Sequence, residues 1–162
     1  MEFDIRGNLK PYEVIALSLA DFEENFVSAF DKTSSRHAIF ATYEQYTEDL
    51  RSTVAVPFFQ WINGSFVAKK FNPKDLDVLT FIDFEVYKEK EKLIDERFSK
   101  WSVGKFYPKI DGYTVWSYPE GHKNFLTFHA DQLYWQGWFG NTAFNRAKKR
   151  FRKGFIQINF EG

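Results

Sequence analysis

Residues 61–82 read Trp61-Ile-Asn-Gly64-Ser65-Phe-Val-Ala-Lys69-Lys70-Phe-Asn-Pro73-Lys74-Asp75-Leu-Asp77-Val-Leu-Thr-Phe-Ile82. An apolar run stops at Gly64-Ser65, a polar lysine-bearing loop follows, and a second apolar run starts after Asp77. In an extended strand side chains alternate between faces, so Asp75 and Asp77 are expected to point the same way, roughly 7 Å apart. Two carboxylates this close repel each other unless a cation lies between them, which points to a divalent metal. Gly64 lets the backbone approach a ligand, and the amides after it cradle a phosphate if a helix begins there. A phosphate cradle facing a carboxylate pair suits nucleotidyl transfer, where metals bridge a triphosphate and an attacking hydroxyl.

The stretch resembles the signature of the DNA polymerase beta-like nucleotidyltransferase superfamily: a hydrophobic residue, Gly-Ser or Gly-Gly, about ten residues, then Asp-x-Asp flanked by hydrophobics. Here Gly64-Ser65 is followed by nine residues and then Asp75-Leu76-Asp77-Val78-Leu79. A turn before a strand bearing two solvated aspartates is the bland alternative. The Gly-Ser pair at this distance, between two apolar runs, favours the superfamily.

Composition bounds the rest. A chain of 162 residues is expected to form one domain with a real core, and its 20 Phe make that core aromatic. There is no Cys, hence no disulfide and no thiolate metal site. This composition, with no apolar run of membrane-spanning length and no basic and apolar leader, gives the expectation of a cytoplasmic protein with no membrane partner. Net charge is zero but uneven: residues 1–50 carry 10 acidic and 4 basic side chains, residues 51–110 carry 8 and 11, and residues 111–162 carry 4 and 7. The basic remainder contains the proposed site, which suits an anionic ligand.

Along the chain, residues 1–17 read as an irregular arm. Ser18, with Asp21 three residues on, caps a helix to about Phe30. Thr33-Ser34-Ser35 precedes a second helix with Ile39, Phe40, Tyr43, Tyr46 and Leu50 on one face. Strands are expected over 54–62, over 75–82 with Asp75 and Asp77 both on the strand, over 113–118 and over 155–160. A charged helix spans 84–101 with Val86, Leu93, Ile94 and Phe98 inward, and a short helix spans 131–139 with Leu133, Trp135 and Trp138 as anchors. The expected fold is α/β (α+β): a single domain over 1–162 with a mixed β-sheet flanked by helices.

Further pieces widen the resemblance: Gly7-Asn8-Leu9-x-Pro11, Tyr118-Pro-Glu-Gly-His122, and Tyr134-Trp135-x-x-x-Phe139-Gly140 before Lys153-Gly154. Together they are similar to a small bacterial family with a nucleotidyltransferase-like fold. The resemblance implies that fold, a magnesium or manganese cofactor, and a nucleoside triphosphate substrate. Relatives in the superfamily include toxin–antitoxin and phage-defence components, some paired with a helical ribonuclease-like partner. It also implies a third carboxylate on a neighbouring strand. Asp111 is the candidate because it begins the third strand, although Asp-Gly is also an ordinary turn pair. Asp75, Asp77 and Asp111 are thus the expected catalytic and metal-ligating residues.

For the nucleotide, Gly64 and Ser65 are expected at the phosphates with Lys69 and Lys74. The run Arg146-Ala-Lys148-Lys149-Arg150-Phe-Arg152-Lys153, six basic residues in eight, offers a further anion grip. Three readings stand: a metal-dependent transferase moving a nucleoside monophosphate to a hydroxyl of a protein or nucleic-acid end; an inactive module of the same fold that binds a partner protein, nucleotide or nucleic acid; and a nucleic-acid binder using the basic run.

Overall fold

The computed structural model describes residues 1–162. A small ribbon, β1 (Glu2–Phe3) and β2 (Leu9–Lys10), precedes β3 (Val14–Ala16). Then follow α1 (Leu19–Glu23), a π-helical turn Glu24–Ser28, α2 (Arg36–Val54), β4 (Phe58–Asn63), a 3₁₀ turn Gly64–Val67, and β5 (Leu76–Asp83). The chain continues through α3 (Phe84–Phe98), α4 (Val103–Phe106), β6 (Ile110–Ser117), α5 (Phe125–Phe139) and β7 (Phe155–Phe160). No helix is long and apolar enough to cross a membrane.

The main sheet has five strands in the order β3-β7-β4-β5-β6. β4 runs antiparallel to both neighbours, whereas β3–β7 and β5–β6 are parallel. The expected mixed α/β architecture is therefore present. Strand parity divides the side chains cleanly. Ile62, Val78, Ile82, Ile110, Ile156 and Ile158 bury one face against the helices α1 to α3. Trp61, Leu79, Phe81 and Phe155 bury the other against Phe128 and Phe139 of α5. Under the first face Phe22 lies among Phe26, Phe40, Tyr43 and Phe66, with ring centroids 5.1–6.2 Å apart.

Several boundaries differ from the sequence reading. Val54 closes α2 rather than opening a strand; Ala55 then turns left-handed (φ 53°) and the ladder starts at Phe58. The arm is not wholly irregular, since β3 joins the sheet beside β7. Ser18 does cap α1, accepting from the Asp21 amide at 3.0 Å, but regular α-helix gives way after Glu23. On α3, Leu93 is exposed and Tyr87 is buried instead. α5 starts six residues earlier than expected, at Phe125. Phe128 and Phe139 are its fully buried anchors, leaving Leu133 and Trp138 more than half exposed. Asp83 is the N-cap of α3, accepting from the Glu85 and Val86 amides at 3.0 and 3.3 Å.

Candidate functional site

The ladder brings the chemistry together. β4 ends at Asn63, which stands opposite Asp77 of β5. Asp77 in turn stands opposite Asp111 of the parallel strand β6. Paired residues on adjacent strands project to the same face, so three polar side chains share one end of the sheet. This is the face α5 covers, and the last turns of α5 complete a cleft of about 690 Å³. Asn63, Gly64, Asp77 and Asp111 form its polar side with Lys153, and Tyr134, Trp135, Trp138 and Phe139 face them.

Gly64 serves the cleft in two ways. Its φ of +80° is left-handed, and a Cβ there would overlap Oδ2 of Asp77. The turn therefore presses its backbone against the carboxylate, which only glycine permits. Gly64→Ala is expected to cost about 2 kcal/mol, the scale of such backbone strain. In urea denaturation part of that cost should vanish in an Asp77→Ala background, because the overlap is gone. Strictly additive effects would show that the two residues do not press on each other.

Burial, first, and then the nearby carboxylates of Asp75 and Asp111 push the Asp77 carboxyl up to about 7, with Lys153 opposing. The Lys153 ammonium is itself held below its ordinary value by burial, with Asp77 opposing that shift. Beside them Oδ1 of Asn63 is buried without a hydrogen-bond partner. A buried orphan acceptor is costly unless a donor or a cation reaches it.

The other expected site residues are spread more widely. Asp75 precedes β5, is exposed, and lines a neighbouring depression of about 450 Å³ with Lys74, Lys100, Lys109 and Asp111. No group of three His, Cys, Asp or Glu side chains converges closely enough to hold a metal ion. Ser65 does not line the cleft, and Lys69 is an exposed residue whose amide donates to Gly7 O at 2.8 Å.

The basic run is a hairpin-like excursion: Thr142 N donates to Phe151 O and Asn145 N to Lys149 O, both at 2.8 Å. Lys148, Lys149 and Arg150 are carried at its exposed tip, and Arg152 turns to the Tyr12 carbonyl at 3.0 Å. Of the run 146–153, only Lys153 lines the cleft. Its neighbour Gly154 anchors that end, donating to Leu9 O at 2.7 Å where a Cβ would strike the Pro11 carbonyl. His122 packs at a tilt against Phe84 and Tyr118, which stack on each other, and does not line the cleft.

A family model described as a family of unknown function (DUF6932) matches residues 1–159. The chain belongs to that family. The match takes in every element around the cleft, from Asn63 to Lys153, so the site lies wholly within the DUF6932 domain. No curated protein and no solved structure matches the chain.

The residue that sequence reading missed is Arg36, wholly buried at the start of α2. Its guanidinium donates to the carbonyls of Phe26, Phe66, Ala68 and Lys70, with a longer contact to Ser65. It also lies 3.9 Å above the Phe30 ring. Arg36 thereby fixes the turn that carries Gly64. No signal in the sequence marks it, because the carbonyls of residues 26 and 66–70 that it serves come together only in the fold.

Proposed function

We propose that the cleft transfers a nucleoside monophosphate from a nucleoside triphosphate to a hydroxyl acceptor. One observation carries the reading: Asp77 and Asp111 stand in register on adjacent parallel strands in an aromatic-walled cleft, with Asp77 pressed against the left-handed Gly64. The nucleotidyltransferase-like fold, suggested by the Gly64-Ser65 and Asp75-x-Asp77 resemblance, belongs to this proposal.

Magnesium or manganese fits the donors, because Asp77, Asp111 and the orphan Asn63 Oδ1 are all hard oxygens. Magnesium is commonly held by one or two carboxylates and completed by phosphate oxygens, so the set does not need Asp75. When bound, the ion would polarise the phosphates and lower the pKa of the acceptor hydroxyl. The protein's own groups supply the rest. Tyr134, Trp135 and Trp138 offer flat faces to a base. Lys153 offsets phosphate charge. The acceptor oxygen bonds to the α-phosphorus, the bond to the β-phosphate oxygen breaks, and pyrophosphate leaves. The hydroxyl proton passes to the Asp77–Asp111 carboxylate pair and on to water at the cleft mouth.

The decisive test is incubation with each α-labelled triphosphate and magnesium or manganese, with and without cell lysate. Label on an acceptor that disappears in Asp111→Asn supports the reading. Absence of labelled product from every triphosphate overturns it. Asp75's position outside the cleft favours a second reading, a nucleotide-binding module without transfer. Triphosphate binding by the parent with no product in any condition would select it.

A further inference from the structure

A second surface adjoins the cleft and is not explained by it. Residues 97–109, Arg-Phe-Ser-Lys-Trp-Ser-Val-Gly-Lys-Phe-Tyr-Pro-Lys, hold four cations and no carboxylate. Arg97 is paired with Asp49 at 2.8 Å, leaving Lys100, Lys105 and Lys109 without a carboxylate partner. Trp101 is 84% exposed and Phe106 53% exposed, so two large rings stand in solvent between these cations. The Lys100 ammonium lies 5.6 Å from the Trp101 ring centre. Lys74 joins the lining of the depression formed by Lys100, Lys109, Gly104, Asp75 and Asp111. Lys100 and Asp111 also line the main cleft, so the two hollows meet at the carboxylate pair.

We infer that this surface, from Trp101 and Phe106 through the Lys74–Lys100–Lys109 depression, binds single-stranded nucleic acid and leads its hydroxyl end to Asp111. Cations spaced among exposed rings suit a ligand that is both anionic and flat, which is an unpaired strand. A duplex keeps its bases stacked away from Trp101 and Phe106. An acidic peptide would match the charge but leave the rings unpartnered. Binding rests on this surface alone; the role as acceptor rests on the transferase reading. The geometry serves that role, because a second reactant must reach the carboxylates from outside the chamber that holds the triphosphate.

Fluorescence anisotropy with labelled single-stranded DNA and RNA oligonucleotides of one sequence, over a series of salt concentrations, tests the binding. Lys100→Ser/Lys105→Ser/Lys109→Asn is expected to bind at least about tenfold more weakly, with a salt slope shallower by about 2. Trp101→Ala/Phe106→Ala is expected to bind roughly tenfold more weakly at unchanged slope. Parent-like affinity in either variant overturns the inference. So does equal affinity for a blunt duplex, or a loss confined to serine replacements of Lys148, Lys149, Arg150 and Arg152. α-Labelled triphosphate added with the oligonucleotide separates the two readings. Label on the oligonucleotide supports the acceptor role, and label on lysate protein alone overturns it. Intact oligonucleotide binding with no labelled product from any triphosphate refutes the transferase reading and leaves the binding surface standing.

Discussion

Arg36→Met is expected to destabilise the protein by about 3–5 kcal/mol, the scale on which a buried charged network fails when one partner is removed. The guanidinium is fully buried and has no carboxylate partner. Burial pulls it down to about 10, which still leaves it a cation at neutral pH. Its charge is solvated by main-chain carbonyls, with Nη2 at 2.7 Å from both Ala68 O and Lys70 O and Nη1 at 2.9 Å from Phe26 O. Methionine fills much of the volume but donates nothing. Each carbonyl left buried without a donor costs about 1–3 kcal/mol, reduced where water enters. Arg36→Lys keeps the charge, yet one ammonium cannot span the fork, so it should recover only part of the loss. Urea denaturation at neutral pH reads both variants. A methionine variant with the parent midpoint would remove Arg36 from any role in holding residues 65–70.

The same region shows what was legible in the sequence and what was not. Continuous apolar runs located the central strands, and placing Asp111 at the head of the third strand put it beside Asp77, as the ladder has it. Asp75 was less legible. Parity pairs it with Asp77 only if the strand already runs at Asp75, but the ladder begins at Leu76, opposite Ile110. Where a strand starts depends on its partner, here the left-handed Lys109, whose carbonyl receives the Leu76 amide at 2.9 Å. The basic run 146–153 looked uniform in sequence. Main-chain bonds between residues 142–145 and 149–151 turn most of it away, and the Gly154 anchor leaves Lys153 in the cleft. The aromatic wall was hidden for a similar reason. The buried side of α5 runs through Phe128, Trp135 and Phe139, and packing against the sheet, which the sequence does not display, leaves Tyr134 and Trp138 at the cleft.

Asp77→Asn is expected to abolish transfer and, without metal, to make the protein more stable above neutral pH. The carboxyl goes from an ordinary 3.8 to about 7 on folding. A carboxyl raised in the folded state favours folding when protonated. Its contribution is full below about pH 4, is lost as pH rises towards 7, and stays flat beyond that. The shift of about three units corresponds to about 4 kcal/mol at 1.36 kcal/mol per unit. The attraction of Lys153 is already contained in that shift, and water in the open cleft screens part of the remainder. A net gain of roughly 2 kcal/mol remains, or about 4–8 °C in Tm for a chain of this size. Melting curves from pH 4 to pH 8 should therefore nearly coincide for parent and variant at the acid end, diverge between pH 4 and pH 7, and keep a constant gap above it. Magnesium should raise the parent's Tm at pH 8 and leave the variant's unchanged, since binding to the folded state alone stabilises it. Parallel pH profiles for the two proteins would show that Asp77 ionises as an ordinary surface carboxylate. A magnesium effect retained in the variant would place the ion elsewhere.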